Sequence, residues 1–399
     1  MSRISEIKNV VDTGLNGVPV CSSDISLTTL GKDGDPLLLY RGYSIFDLVK
    51  GLFEESVYLI LNNELPNKDQ LSIFSGELKK NGSLDEKVLL HMKTYPPNVH
   101  MMDFLLTTLS YARMFDPDYN NSLWQKPKEE SDQLAGLIAR TGIRMGAKIP
   151  AIVANGYRIL NDMPVIPSDP SLSYAANFLH MIGIQPEEDV VNALNVTLIL
   201  YLDHTLNCST FTSLVAESAG TDPYSPLLAG GISLKGVLHG GANERVADLF
   251  DEIGTPDKAE EYILKKLRNK EIISGFGHRL KHYKNKVESR VKIAEKIARP
   301  FAAKKGLSHY FEIYDIISEI MLKEKDRTPN ADLPISLLYK MIGIPKKLNT
   351  PIFQATRHFG WVANNARQRK NQGPLFRPTQ HYTGVGVDEM RTYVPLEKR

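Results

Sequence analysis

Apolar residues recur along this chain mainly at helical spacing. Val190, Leu194, Leu198 and Leu202 fall every four residues, with Val191 and Ile199 beside them, so 186–202 reads as a buried helix. Pro186 followed by Glu187, Glu188 and Asp189 suits a first turn, where fixed φ and negative charge are both favourable. The same period appears in Val246, Leu249, Phe250 and Ile253, closed by Gly254. It returns in Val287, Val291, Ala294 and Ala298, and again in Ile313, Ile316, Ile317, Ile320 and Met321. Residues 44–61 read as a helix on Ile45, Leu48, Val49, Leu52, Val57 and Ile60, and 351–371 as a long one ending near Gly373 and Pro374. Strand signals are sparse, limited to Leu37, Leu38, Leu39 and Tyr40 before Arg41-Gly42. No fixed-period repeat or low-complexity tract interrupts the pattern, and no long flexible linker separates parts. The expected fold class is all-α, with at most a short β element.

Composition narrows the classes of function. The 399 residues can bury a large core without covalent staples. Forty-eight Lys and Arg balance 46 Asp and Glu, leaving a net charge of +2. That balance speaks against a protein wrapped in nucleic acid. Cys21 and Cys208 lie far apart and form no CxxC pair, so neither a disulfide framework nor a cysteine zinc site is expected. The first residues lack the apolar core of a signal peptide, and the most hydrophobic run, 196–202, is too short to cross a bilayer. A soluble cytoplasmic protein is expected.

Four places look unusual for a plain helical bundle. The first is Asp203-His204-Thr205-Leu206-Asn207-Cys208-Ser209-Thr210, a polar run after a strongly apolar helix. Ser209 or Thr210 is expected to cap a following helix over 211–219, whereas His204 has no such need. The second is Leu238-His239-Gly240-Gly241-Ala242-Asn243-Glu244, where two glycines allow close approach of backbone and ligand, and a helix start near Asn243 supplies amide donors. The third is Gly275-Phe276-Gly277-His278-Arg279, a histidine set in glycines that lacks the third glycine of a dinucleotide fingerprint. The fourth is Thr328-Pro329-Asn330-Ala331-Asp332-Leu333-Pro334, which holds an aspartate in a rigid turn. Asp332 there serves either as a helix cap or as a catalytic carboxylate. Together they offer two glycine-flanked histidines and one rigidly placed carboxylate, which suits acid–base chemistry on a carbonyl compound.

Other chemistries fit less well. His278 and His282 stand four apart, a helical metal-ligand spacing, but no adjacent Glu completes HExxH, and Lys281 and Lys284 would repel a cation. No metal is expected. No Gly-x-Ser-x-Gly elbow marks a serine hydrolase, and 230–236 lacks the Gly-Lys-Ser/Thr order of a phosphate loop. Arg367, Arg369 and Lys370 read as a solvated helix end that complements the carbonyl pole.

In this order, these segments resemble the citrate synthase family. The resemblance runs from Leu39-Tyr40-Arg41-Gly42-Tyr43 to the closing Tyr393-Val394-Pro395-Leu396-Glu397-Lys398-Arg399 and is strongest between 200 and 385. Its signatures are the His239 and His278 segments, Pro329-Asn330-Ala331-Asp332, and Arg377-Pro378 before Tyr382-Thr383-Gly384. The resemblance implies a large helical domain over 1–239 and 340–399, and a small one over 240–339 carrying most of the catalytic residues. It implies condensation of acetyl-CoA with oxaloacetate followed by thioester hydrolysis, without metal or permanently bound cofactor. Asp332 would be the base, His239 the donor to the enolate, and His278 the donor to the oxaloacetate carbonyl. His204, Arg290 and Arg357 would bind oxaloacetate, and Arg377 would reach in from the other subunit of a homodimer.

The chain departs from the family pattern in several places. Residues 280–290 look like a short insertion, with Glu288-Ser289 in place of Asp-Pro before Arg290, and the residues that would meet CoA are left unassigned. Thr205 stands where many members carry Glu, Val237 where Pro is common, and Leu333-Pro334 where Phe-Tyr is usual. These changes leave propionyl-CoA as an alternative donor, because one methylene in an apolar pocket is worth only about 1–3 kcal/mol. A non-catalytic dicarboxylate-binding relative is a further alternative, though it would have no use for the base.

Overall fold

The four-residue apolar spacing becomes helix over most of a computed structural model, which describes residues 14–15, 17–126, 130–278, 280, 283, 285–380 and 382–399. The chain divides into two units, one of residues 1–22 with 375–399 and one of 23–374. In the terminal unit, the described residues include short 3-10 turns at Val387–Glu389 and Leu396–Lys398. Leu375, Tyr382, Met390, Tyr393 and Leu396 are exposed there.

The main unit begins with three antiparallel strands, β1 (Ser26–Leu30), β2 (Pro36–Tyr40) and β3 (Tyr43–Ser44). Ser26 pairs with Tyr40 and Leu30 with Pro36, while Arg41 and Gly42 turn β2 into β3 with φ of 48° and 85°. Five helices follow, α1 (Ile45–Leu48), α2 (Phe53–Asn62), α3 (Lys68–Asn81), α4 (Glu86–Met92) and α5 (Met101–Ala112). Next come α6 (Ser131–Leu160), α7 (Tyr174–Ile182), α8 (Glu188–Tyr201), α9 (Cys208–Ser218) and α10 (Ser225–Leu234). The series continues with α11 (Ala242–Ile253), α12 (Pro256–Arg268), α13 (Ser289–Lys305), α14 (His309–Lys325), α15 (Asp332–Ile342) and α16 (Asn349–Lys370).

Three expectations are corrected. The helix expected over 44–61 is two helices, because buried Asn195 on α8 accepts from the Phe53 amide at 2.9 Å and donates to the Gly51 carbonyl at 2.9 Å, catching the break. The cap of α9 is Asn207, whose side chain accepts from the Thr210 amide at 3.2 Å; Ser209 and Thr210 are already helical. Arg369 is not solvated but pairs with the buried carboxylate of Glu217 on α9.

α16 lies in the core, buried from Asn349 through Asn365, and packs closely against α6. A Cβ on Gly142 or Gly146 of α6 would drive into Val362 or Phe359 of α16. Gly360 solves the same problem on the other side, where a Cβ would meet the Leu202 carbonyl at the end of α8. This approach holds Arg357, one turn earlier on α16, beneath the corner at 201–205. The small sheet props that corner. The Tyr40 hydroxyl of β2 lies 2.9 Å from the Asp203 carbonyl and 3.0 Å from that of Ile199, within donating distance of both.

Candidate active site

His239 stands on the turn between α10 and α11. A Cβ on Gly240 would meet the Leu234 carbonyl and one on Gly241 the Lys235 carbonyl, so the glycines let the turn fold back on the end of α10. The Ser209 amide donates to His239 Nε2 at 3.3 Å, with the Ser209 hydroxyl 2.8 Å away. A backbone amide can only donate, which assigns the ring proton of the neutral imidazole to Nδ1. Burial, with the Arg357 charge adding to it, pushes the pKa of His239 down to about 3. His239 is therefore a neutral Nδ1–H donor around pH 7.

The third and fourth unusual segments are joined to each other. Gly275 and Gly277 have φ of 90° and 80°. Between them Phe276 forms an antiparallel bridge with Pro329. The Gly277 amide donates to the Thr328 carbonyl at 2.8 Å and the Asn330 amide to the Gly275 carbonyl at 2.9 Å. The bridge carries His278 on one side and Asp332 on the other. His278 Nδ1 accepts from the Leu280 amide at 3.1 Å, which places the proton of its neutral ring on Nε2. The two glycine-flanked histidines thus present opposite nitrogens.

Asp332 opens α15 but does not cap it, since the cap position is Ala331 and makes no side-chain bond. Its Oδ1 accepts from the Tyr201 hydroxyl at 2.7 Å and from Asn243 Nδ2 at 3.3 Å. Burial raises the pKa of this carboxyl, opposed by the Tyr201 hydrogen bond and the Arg290 charge. A raised carboxylate is the form a base needs for a weak carbon acid. Tyr201 also stacks on Phe353 of α16 with ring centroids 3.9 Å apart, and Phe353 in turn meets the His239 ring edge-on at 6.3 Å.

The corner after α8 brings in the carboxylate-binding groups. Arg357 donates from Nε to the Tyr201 carbonyl at 2.7 Å, and its buried Nη2 has no hydrogen-bond partner among the described residues. Burial lowers the Arg357 pKa to about 10, opposed by the nearby Asp203 charge, so the guanidinium stays charged at neutral pH. Asp203 is itself bound by the Ser26 hydroxyl and by the Thr205 amide at 3.2 Å. Thr205 has φ of 53°, a left-handed conformation that strains a β-branched residue.

Glu288, only 3% exposed in its side chain, ties the remaining groups together. Its Oε2 accepts from Arg290 Nη2 at 2.9 Å and Nε at 3.2 Å, while Oε1 accepts from the Ala331 amide at 2.8 Å. The same Oε2 lies 3.7 Å from His204 Nε2 and 3.8 Å from His278 Nε2. His204, His278 and Glu288 could offer a cation one atom each within 4.8 Å. Arg290 already sets a fixed positive charge on that carboxylate, so the donor set suits an anionic ligand better than a cation. His282 of the alternative metal spacing lies outside the described residues.

The structure therefore gathers His204, His239, His278, Arg290, Asp332 and Arg357 within the main unit, around Tyr201, Phe353 and Glu288. A family model described as Citrate synthase, C-terminal domain, matches residues 14–379. The chain belongs to the citrate synthase family. It is 36% identical over 389 residues to Citrate synthase 2 of Bacillus subtilis, covering 97% of this chain and 98% of that protein. It is 35% identical over 396 residues to 2-methylcitrate synthase 1 of Corynebacterium glutamicum, covering 98% of each. Among solved structures, citrate synthase from Thermotoga maritima aligns with a TM-score of 0.82 at 30% identity, over 98% of this chain and 99% of that one. The ternary complex of carboxymethyl coenzyme A and oxaloacetate with citrate synthase from Thermoplasma acidophilum aligns at 0.84 and 29% identity, again over 98% and 99%. The family's enzymes transfer an acyl group, and the all-α expectation agrees with the fold.

Citrate synthase motifs marked the first six residues but missed their holders. Tyr201, Ser209, Asn243 and Glu288 each bind a site residue, and the sequence reading gave none of them a role in the site. Asn243 stands inside the His239 motif and Ser209 inside the polar run 203–210, so those segments were a usable signal, while Glu288 enters only as a departure from the family pattern. Tyr201 carried none, as it is one more apolar-period residue at the end of a helix. Arg377 is exposed and belongs to the terminal unit.

Proposed function

We propose that this chain condenses acetyl-CoA with oxaloacetate and hydrolyses the resulting citryl-CoA to citrate and free CoA. The observation that carries this reading is the buried Arg357 guanidinium with an unused Nη2, set in the same cluster as Arg290, three histidines and Asp332. A dicarboxylate needs such forks, and a guanidinium binds a carboxylate in two-pronged fashion.

In this reading Asp332 takes a proton from the acetyl methyl group, and the C–H electrons move towards the thioester oxygen. His239 donates to that oxygen from Nδ1, stabilising the enolate without transferring a full charge. The enolate carbon then attacks the keto carbon of oxaloacetate, whose oxygen is polarised by a hydrogen bond from His278 Nε2–H and takes its proton from the water that next hydrolyses citryl-CoA, while Asp332 returns its proton to the departing CoA sulfur. Water cleaves the C–S bond of citryl-CoA, leaving citrate and the CoA thiol. Removing one donor of this kind typically slows turnover by about a hundred- to a thousandfold. The protein is assigned to the cytoplasm, with 240–339 as the small domain that closes over the substrates. Among the described residues no helix is long and apolar enough to cross a membrane.

Release of CoA thiol that depends on oxaloacetate tests the reading, with acetyl-CoA and propionyl-CoA compared at equal concentration. Acetyl-CoA is expected to give the higher kcat/KM. A preference for propionyl-CoA moves the assignment to 2-methylcitrate formation, and no thiol release with either donor rejects both.

The working unit in this proposal is a homodimer in which Arg377 of one protomer serves the site of the other. Mixing inactive Arg377→Ala and Asp332→Asn protomers is then expected to restore up to about a quarter of wild-type activity, as one site in a mixed dimer keeps both groups. Mixed dimers shown to form but remaining inactive would reject the shared site.

A further inference from the structure

Asp332 has two oxygens, and the structure treats them differently. Oδ1 faces two donors, the Tyr201 hydroxyl at 2.7 Å and Asn243 Nδ2 at 3.3 Å. Asn243 Nδ2 also lies 2.6 Å from the Tyr201 oxygen. The direction of every bond in this triangle follows from what each group is able to do. An ionised carboxylate only accepts, so the Asn243 amide must turn its NH2 rather than its oxygen towards Asp332. That NH2 donates to the phenolic oxygen, so the phenol's own hydrogen is left for Asp332. Burial and the Asp332 charge hold the Tyr201 pKa well above its ordinary value, so the phenol keeps that hydrogen.

We infer that Tyr201, oriented by Asn243, is a positioning residue for the base: it holds Oδ1 of Asp332 and leaves Oδ2 as the atom that takes the substrate proton. The inference rests on the reading of Asp332 as the base and adds which of its atoms acts and what fixes it. Tyr201 is suited to the task because its ring is clamped by Phe353 and its carbonyl holds Arg357 Nε. One residue thereby sets the base and one of the carboxylate-binding arginines in register. A preorganised base saves the reorientation that a freely rotating carboxylate would need before each turnover.

Tyr201→Phe removes only the hydroxyl and keeps both the ring stack and the carbonyl. The expected result is a fall in kcat of about tenfold to a hundredfold, with the acid limb of the kcat–pH profile moved up by about one pH unit. The limb moves upward because the lost hydrogen bond favoured the ionised carboxylate. KM for oxaloacetate is expected to change by less than about twofold, since Arg357 keeps its Tyr201 carbonyl. A slower enzyme whose acid limb has not moved would mark general damage and overturn the inference. Should Tyr201→Phe fail to fold by circular dichroism, Asn243→Ala replaces it, with a shift of the same sign expected and an unmoved limb overturning the inference. The titration of the Asp332 carboxyl by 13C NMR, read without substrate, separates this inference from the reading beneath it. An upward move in Tyr201→Phe supports the positioning even if wild type releases no CoA, and an unmoved titration overturns it even if wild type turns over normally.

Discussion

Asp332→Asn is expected to lower kcat for CoA release by about a thousandfold while leaving oxaloacetate binding within about twofold of wild type. An α-proton of a thioester is barely acidic, and loss of a positioned general base costs about a hundred- to ten-thousandfold. Asparagine keeps the size of the side chain and still offers an oxygen to the Tyr201 hydroxyl, so the turn at 328–332 is expected to survive. Rapid-quench measurement of one turnover, together with calorimetric titration of oxaloacetate, checks both halves. Near-normal turnover would remove Asp332 from the chemistry. Because burial raises the pKa of this carboxyl, wild-type activity is expected to decline with falling pH at a point above the ordinary carboxylate range, as the base becomes protonated. Asp332→Asn would show no such titration in its residual rate.

The second large effect is expected at Arg357. Arg357→Met keeps an unbranched apolar side chain but removes the charged fork, whose Cζ lies 4.8 Å from the centre of the Phe353 ring. Truncating one partner of a buried, hydrogen-bonded charge pair costs about 2–5 kcal/mol, so KM for oxaloacetate is expected to rise by roughly a hundredfold. KM for the acyl-CoA is expected to move far less. The same change removes a positive charge that opposes the cost of burying the Asp203 carboxylate, so stability should fall as well. Adding Asp203→Asn separates the two consequences, because it relieves the stranded charge without restoring the fork. Recovery of the melting temperature alone is the expected result, and recovery of oxaloacetate affinity as well would contradict a direct role for Arg357.

Much of the helical fold was legible because a core-facing helix writes its period into the chain. α8, α11, α14 and α16 each announce themselves by apolar residues at three- and four-residue steps. The least legible helix was the longest, α6, with its 30 residues and an internal Pro150. An internal proline reads as a stop, and here tertiary packing of glycine faces against α16 outweighs it. β1 was missed for a different reason. Its residues alternate poorly between buried and exposed, and its place depends on pairing with β2.

The site divides along the same line. His204, His239, His278 and Asp332 stood out because local glycines, prolines and polar runs break an otherwise apolar pattern. Tyr201 and Ser209 did not, because their partners come from remote segments. Ser209 was read as a helix cap on local grounds, yet Asn207 takes that duty and Ser209 meets His239. Composition near a residue shows what it is able to do, whereas its partner is decided by packing.

The bridge between Phe276 and Pro329 bears on how this chain tolerates its unusual sequence after His278. His278 and Asp332 are fastened to each other through that bridge, which lies outside the variable stretch. Two described residues of the stretch are themselves tied down. Buried Tyr283 meets the His278 ring edge-on at 5.1 Å, with its hydroxyl 3.4 Å from the Leu37 carbonyl, and the Lys286 carbonyl accepts from the Thr328 hydroxyl at 3.1 Å. Added length between fixed points costs little, since closure entropy grows only with the logarithm of its length. Tolerance to a change of length and tolerance to a change of residue therefore part company here, because a substitution at Tyr283 would be felt by His278 directly.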